Sequence, residues 1–291
     1  MKLDRMELAD CTTPEKLLHA LLKQMPDLPI PVPIEDIAAA LDIHRIEQLD
    51  TDGFEGGLVT FADKSSGTIL VNRQSPRQRQ RFTIGHELGH FLNPWHVPVD
   101  GDGFRCTAGD MRKFGASSDN RAARMEAEAN RFSAGILMPD SYFRKDLRRL
   151  GGPEMEHILE LSEKYETSWE ASARKYVALH DEPCAIVFSR NGSVLYGVRN
   201  EDFPFLDVRK GQSLPKGSVS LTNELGDDTC SGWEEIDVHA WLSDAKNASS
   251  LAEQTFVQRD GYRMTLLYAE LDDTGEADGD LEKGGTPRFR R

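Results

Sequence analysis

An α+β fold, helix-rich up to about residue 180 and strand-rich beyond it, is what this 291-residue sequence predicts. Three observations carry that expectation. Helical periodicity with start and stop signals recurs at 76–92, 120–139, 153–164 and 169–179. A hairpin pattern, GGLVTFADKSSGTILVNR at 56–73, leads into the first of these helices. A second, AIVFSRNGSVLYGVR at 185–199, carries Asn191-Gly192, a pair that readily supplies the two positive φ angles of a tight turn.

Composition narrows the classes. Hydrophobic residues make up 38% and charged residues 29% of the chain, a balance suited to a water-exposed globular body. No apolar run approaches the ~18 residues of a membrane span, and MKLDRMELADCTTPEK lacks the apolar centre of a signal peptide, so no membrane role is expected. Cys11, Cys106, Cys184 and Cys230 lie far apart with no CxxC pair, which predicts reduced thiols in a cytoplasmic protein and no cysteine-held metal. A formal net charge of −14 argues against direct nucleic-acid binding and for a basic partner.

Taken in order, DLPIPVP opens an extended stretch, because proline restricts both itself and the residue before it. Ile34, Ile37, Ala38 and Leu41 then recur at helical spacing. In the first hairpin the apolar runs are Leu58 to Phe61 and Thr68 to Val71. Ser75 and Pro76 read as N-cap and first turn of a helix that stops before Asn93-Pro94. The Gly/Asp-rich stretch 97–118 reads as a surface loop, after which Ser118-Asp119 can cap a helix ending at Pro139. The helices at 153–164 and 169–179, joined by Glu166, Thr167 and Ser168, have helix-turn-helix spacing with Ser168 as cap. WEASARKYVAL is too weakly basic for a DNA-reading helix, so packing within the first domain is preferred. Beyond 200, short β-like runs alternate with turns, broken by one helix near 234–243. ELDDTGEADGDLEKGGTPRFRR is expected to be a disordered tail. The expected divisions are therefore 1–145, a helical segment 146–181, an α+β domain 182–269 and the tail 270–291.

RFTIGHELGHFLNP, residues 81–94, holds the chemistry. Residues four apart share a helix face, so His86 and His90 can aim ring nitrogens at one point. Zinc takes imidazole nitrogen at ~2.0–2.1 Å and, in catalytic sites, three protein ligands. Glu87 is too close in sequence to be a natural third ligand, but it is placed to take a proton from water whose pKa zinc lowers to ~7. HExxH alone is a common coincidence. Its context argues against one: Gly85 and Gly89 weaken the helix, and two glycines four apart form a smooth strip that is useful only where another element packs closely. The third ligand should come from MEAEANRFSAGILMP. Glu126 shares a side with Asn130, next to the stripe Ala122, Ala129, Phe132, Ser133 and Ile136. An amide at that place can hold a ligand imidazole by its other nitrogen. Glu128 falls on a different face and reads as exposed.

FTIGHELGHFLN together with EAEANRFSAGILMP, after the hairpin GGLVT…GTILVN, resembles the ImmA/IrrE metallopeptidases over roughly residues 27–205. The resemblance implies a zincin-like fold, with one zinc per chain held by His86, His90 and Glu126 and with Glu87 as the base. It further implies intracellular cleavage of helix-turn-helix repressors in stress, phage or mobile-element regulation. In some relatives a helix-turn-helix-like segment and then a GAF-like sensory domain follow, which would correspond here to 146–181 and 182–269. The chain departs from the pattern in its long 95–118 loop and in having no placeable motif after about 205.

The remaining polar residues have more than one reading. His96 is either a fourth ligand or substrate contact, or a polar loop histidine. Cys106 is either a switch thiol or an ordinary loop residue. Tyr142, Tyr165, Tyr176, His157 and His180 are all candidates to stabilise an oxyanion. Arg73, Arg77, Arg79 and Arg81 form a basic cluster, either a solvated helix start or a contact for acidic substrate residues. Extended substrates commonly pair with an edge strand. The strand of Thr68, Ile69, Leu70, Val71 and Asn72, just before the histidine helix, is the predicted edge. The expected activity is endoproteolysis of a basic helix-turn-helix repressor. The alternatives are a zinc-bound module that sequesters a repressor or antitoxin without cutting it, and a generic peptidase of short peptides.

Overall fold

The computed structural model describes residues 2–97, 103–107, 109, 120–222, 225–244 and 248–272. They fall into two compact units, Met1–Leu179 and His180–Arg291.

The first unit opens with a helix that sequence patterning did not reveal, α1 (Pro14–Lys23), capped by Thr13, whose hydroxyl accepts from Lys16 N–H. The helix expected at 34–41 is α2 (Ile34–Ala40). Next come β1 (Ile43–Leu49), β2 (Gly56–Thr60) and β3 (Gly67–Asn72), the last two forming the expected hairpin. The stretch read as loop contains a strand, β4 (Gly103–Cys106), which pairs antiparallel with β2. Four residues are too few for periodicity to reveal; pairing with Gly56–Val59 makes the strand.

Sheet order is β1-β3-β2-β4, with β1 parallel to β3. The expectation that Thr68 to Asn72 form a free edge is therefore wrong. β3 is enclosed by β1 and β2, so its backbone is committed to the ladder on both sides. Ile69 and Val71 face the core, Thr68 and Leu70 are half-buried on the other face, and Asn72 is tied to the carbonyls of Thr51 and Phe54. Ile69→Pro is expected to abolish cooperative thermal unfolding, followed by circular dichroism, because proline removes a donor from an internal strand.

Helix α3 (Arg77–Leu92) lies across this sheet and also packs against α2. Ser75 does not cap it. Its hydroxyl donates to Glu55 Oε2 at 2.9 Å instead, and Pro76 occupies the cap position. Every residue from Thr83 to Leu92 is buried, which explains why the helix carries no polar stripe. Its other flank meets α4 (Arg121–Leu137), capped by Asn120, whose side chain accepts from Ala122 N–H. The expected caps Ser118 and Asp119 lie outside the described residues.

Gly85 and Gly89 are where α3 and α4 meet. A Cβ on Gly85 would stand 2.6 Å from Ser133 Oγ, and one on Gly89 3.1 Å from Phe132 Cδ1. The Ser133 hydroxyl also donates to Phe82 O at 2.7 Å. Gly85→Ala is thus expected to destabilise the unit by about 1–3 kcal/mol through overpacking, read as a lowered melting temperature in calorimetry.

A further helix missed by patterning, α5 (Asp140–Leu150), precedes α6 (Met155–Tyr165) and α7 (Trp169–Leu179). Between the last two, Glu166 takes φ 49° and Ser168 Oγ accepts from Ala171 N–H. The Tyr165 hydroxyl donates to Asp146 at 2.8 Å, and Arg81 of α3, buried, pairs with Glu166 at 3.4 Å and donates to Val32 O. The first bond ties α6 to α5, and the Arg81–Glu166 pair ties the turn between α6 and α7 to the helix carrying the histidines.

The second unit is an antiparallel sheet. Its strands are β5 (Cys184–Arg190), β6 (Ser193–Arg199), β7 (Thr229–Cys230), β8 (Glu234–Ile236), β9 (Ala248–Val257) and β10 (Tyr262–Leu271). The order is β6-β5-β10-β9-β7, with β8 also on β9. Asn191 and Gly192 have φ 49° and 77°, as the hairpin reading requires. The helix expected near 234–243 is instead β8 and a single 3-10 turn at Val238–Ala240, because pairing with β9 outweighs local preference. Glu253 is fully buried on β9. Its carboxylate accepts from the Ser218 hydroxyl, Ser220 N–H and Trp241 Nε1–H, which pins these three residues to the sheet. Of the expected tail, 270–271 belong to β10 and 273–291 lie outside the described residues. No described helix is long and apolar enough to cross a membrane.

Candidate metal centre

α3 supplies His86 and His90, and α4 supplies Glu126, across the interface that the two glycines keep close. The ligating atoms of the three residues lie within 4.8 Å of one another. His86 Nε2 is 3.1 Å from His90 Nε2 and 3.3 Å from Glu126 Oε2, while His90 Nε2 is 3.5 Å from Glu126 Oε1. A tetrahedron with ~2.0–2.1 Å metal–ligand distances has edges of about 3.3 Å, the size of this triangle. Both histidines are fully buried, and the Glu126 side chain is 14% exposed.

The proton positions follow from the hydrogen bonds. Asn130 Oδ1 can only accept, so His86 Nδ1 donates to it, at 2.8 Å, and His86 Nε2 is the nitrogen that faces the triangle. The expected pairing of Asn130 with a ligand ring is thus present. Burial holds the His90 pKa down to about 3, outweighing Glu126, so this ring stays neutral. For His86, burial also opposes the charged form, but hydrogen bonding to Glu126, aided by the Glu87 charge, overrides it and holds the pKa above its usual value. Close contact with both rings overcomes burial at Glu126 and keeps its carboxyl well below the usual range. Two imidazole nitrogens and a carboxylate, buried and converging, are a donor set for a divalent cation such as zinc. Glu87 is fully buried next to His86, one position round the helix.

Around this triangle the structure corrects several expectations. His96 is neither a ligand nor exposed. It is buried, with Nδ1 3.0 Å from His90 Nδ1 and Nε2 3.0 Å from Glu128 Oε2. Glu128 is accordingly half-buried rather than solvent-facing. The reason is a turn after α3, in which His96 N–H donates to Asn93 O and brings the ring back under His90. Lys64 Nζ donates to the carbonyls of His90 and Asn93, at 2.6 Å each, and holds that turn against the helix end. Phe104 of β4 stacks on His90 with ring centroids 4.4 Å apart. The spacing of His96 from His90, and of Glu128 from Glu126, was the only trace of this layer in the sequence.

The candidates for oxyanion stabilisation have other partners. Tyr142 donates to Pro26 O, Tyr165 to Asp146, and Tyr176 contacts Glu154 N–H and His157, while His180 Nδ1 accepts from Glu182 N–H in the second unit. The arginine cluster is largely neutralised within the chain, through Arg77–Glu35, Arg79–Glu55 and Arg81–Glu166. The Cys106 side chain lies outside the described residues; Cys11, Cys184 and Cys230 form no disulfide.

Comparisons with known proteins agree with this geometry. Residues 43–176 match the IrrE N-terminal-like domain of the Peptidase_M78 family, a span that contains all three candidate ligands. The radiation response metalloprotease IrrE of Deinococcus radiodurans is 26% identical over 135 residues, 44% of this chain. The match spans 35% of that relative's length. A Mycobacterium tuberculosis transcriptional regulator of known structure superposes with a TM-score of 0.50 at 14% identity, over 81% of this chain and 68% of the other; this likeness concerns the fold alone. Residues 43–176 are thus an IrrE N-terminal-like domain, a distant homologue of the IrrE metalloprotease with a candidate His86–His90–Glu126 metal site.

Proposed function

We propose that this chain is a zinc-dependent endopeptidase that cleaves a protein partner inside the cell, the partner being a basic helix-turn-helix transcriptional repressor. The observation that carries the reading is the tetrahedral-sized triangle of His86 Nε2, His90 Nε2 and Glu126, with Glu87 buried beside it. Zinc held there would polarise a peptide carbonyl and lower the pKa of water at the site. Glu87 takes the proton from the attacking water and delivers it to the leaving amine. Asn130 and His96 keep the two rings oriented while this proton moves.

An extended substrate is assigned to the β4 side of the sheet in place of β3. β4 ends the described sheet order, and its Phe104 ring lies directly on His90, so a chain pairing with this strand passes the metal. The names of the two similar proteins, a radiation response metalloprotease and a transcriptional regulator, support a regulatory setting. A net charge of −14 favours a basic partner over long range.

The test is incubation of the zinc-loaded chain with candidate repressors and a basic non-repressor control, read by intact mass. One discrete cut in a repressor, slowed as salt rises through the range that screens charges beyond ~8–10 Å, is the expected result. Binding without a cut would favour the sequestering module, and indiscriminate cutting a general peptidase.

A further inference from the structure

His90 is held more elaborately than a ligand needs to be. Its ring is gripped on one face by Phe104 and at Nδ1 by His96, which in turn reaches Glu128. These residues come from three places: the turn after α3, the middle of α4 and the strand β4. The Asn93 side chain adds a bond from Nδ2 to Glu128 Oε2 at 3.3 Å, so the carboxylate is fixed from two sides of the same turn.

The chemistry of these groups leaves one consistent proton arrangement. A carboxylate only accepts, so His96 Nε2 carries the hydrogen toward Glu128. His90 turns Nε2 toward His86 and Glu126, so as a metal ligand it needs its lone pair there and its hydrogen on Nδ1, for which His96 Nδ1 is the acceptor. The hydrogen shared between the two Nδ1 atoms therefore belongs to His90, and the His90 Nε2 lone pair is left facing Glu126 and His86. With Asn130 doing the same for His86, both ligand rings have their tautomer dictated from behind.

We infer that His96 and Glu128 are a positioning relay for the metal centre: by holding His90 in its Nδ1–H tautomer they set how tightly and how durably the cation is kept. The inference rests on the reading of His86, His90 and Glu126 as metal ligands. It assigns to His96 no contact with metal or substrate. Partners of this kind typically contribute ~10–100-fold in metal affinity.

The experiment uses the full zinc-loaded chain and a chromophoric chelator in excess, and reads the rate of zinc release. His96→Leu and Glu128→Leu are expected to release zinc ~10–100-fold faster than the wild type. His96→Asn should recover most of the difference, because the amide oxygen falls where Nδ1 was and accepts from His90. Nitrogen-15 spectra of the histidines in the metal-free full chain supply a readout that needs no metal: His90 carries its hydrogen on Nδ1 in the wild type and shifts toward a mixture in His96→Leu. A wild-type chain that takes up no zinc would overturn the metal centre itself. A wild-type chain that holds zinc, while His96→Leu and Glu128→Leu release it no faster, overturns the relay alone, as does His90 carrying its hydrogen on Nε2. Equal loss in His96→Leu and His96→Asn, accompanied by a lowered melting temperature of the metal-free chain, shows a merely structural residue and also overturns it.

Discussion

Glu87→Gln is expected to bind zinc as the wild type does and to cleave its substrate at least ~10²-fold more slowly, within the range assigned to a positioned general base. The amide keeps the size and burial of the carboxylate on α3 but cannot accept a proton. Its fold should be unaffected, since the position is enclosed by the same core. Zinc content by atomic absorption and kcat under saturating substrate separate the two effects. A Glu87→Gln variant that is fully zinc-loaded and fully active would remove Glu87 as the base and leave the sequestering reading standing.

Glu126→Ala is expected to lose zinc altogether on dialysis against a weak chelator. The two imidazole nitrogens that remain, 3.1 Å apart, leave a buried pair with no anionic partner for the cation. Glu128→Ala keeps all three ligands and should lose affinity only by the ~10–100-fold attributed to partners behind a ligand. The order matters more than either value. The proposed centre gives two acids separated by one residue on α4 different tasks, and zinc stoichiometry measured on both variants distinguishes them. If Glu128→Ala empties the site while Glu126→Ala stays loaded, the assignment of α4 to the metal is reversed.

How much of this was legible in the sequence depends on the distance over which each feature is encoded. His86, Glu87 and His90 sit within five consecutive positions of one helix, so helical spacing alone brings their side chains together. The glycine pair at 85 and 89 pointed to a close approach by another element, and the structure shows that element to be α4. Within α4, the four-residue step from Glu126 to Asn130 put a carboxylate and an amide on one side, and both meet the histidines. The Asn191-Gly192 hairpin was equally local, its turn determined by two residues able to take positive φ.

Features that depend on partners far along the chain were not legible. β3 reads as an edge by position next to the histidine helix, yet β1, from more than twenty residues upstream, pairs with its other side. β4 is four residues in a Gly/Asp-rich stretch and exists only because β2 offers it a ladder. The segment near 234–243 has helical preference, but pairing with β9 draws Glu234–Ile236 into the sheet. His96 and Glu128 illustrate the same limit at the centre itself. By helical arithmetic Glu128 points away from Glu126, and His96 lies beyond the end of α3. Lys64, from the turn between β2 and β3, holds the carbonyls of His90 and Asn93 and so shapes the turn that carries His96 back. The sequence by itself brought together the candidate ligand pair, the candidate base and the helix that meets them, because periodicity is a property of neighbours. The tertiary structure alone decided that β3 is enclosed in the sheet and what stands behind His90, because hydrogen-bond partners of buried rings and strands come from wherever the chain returns.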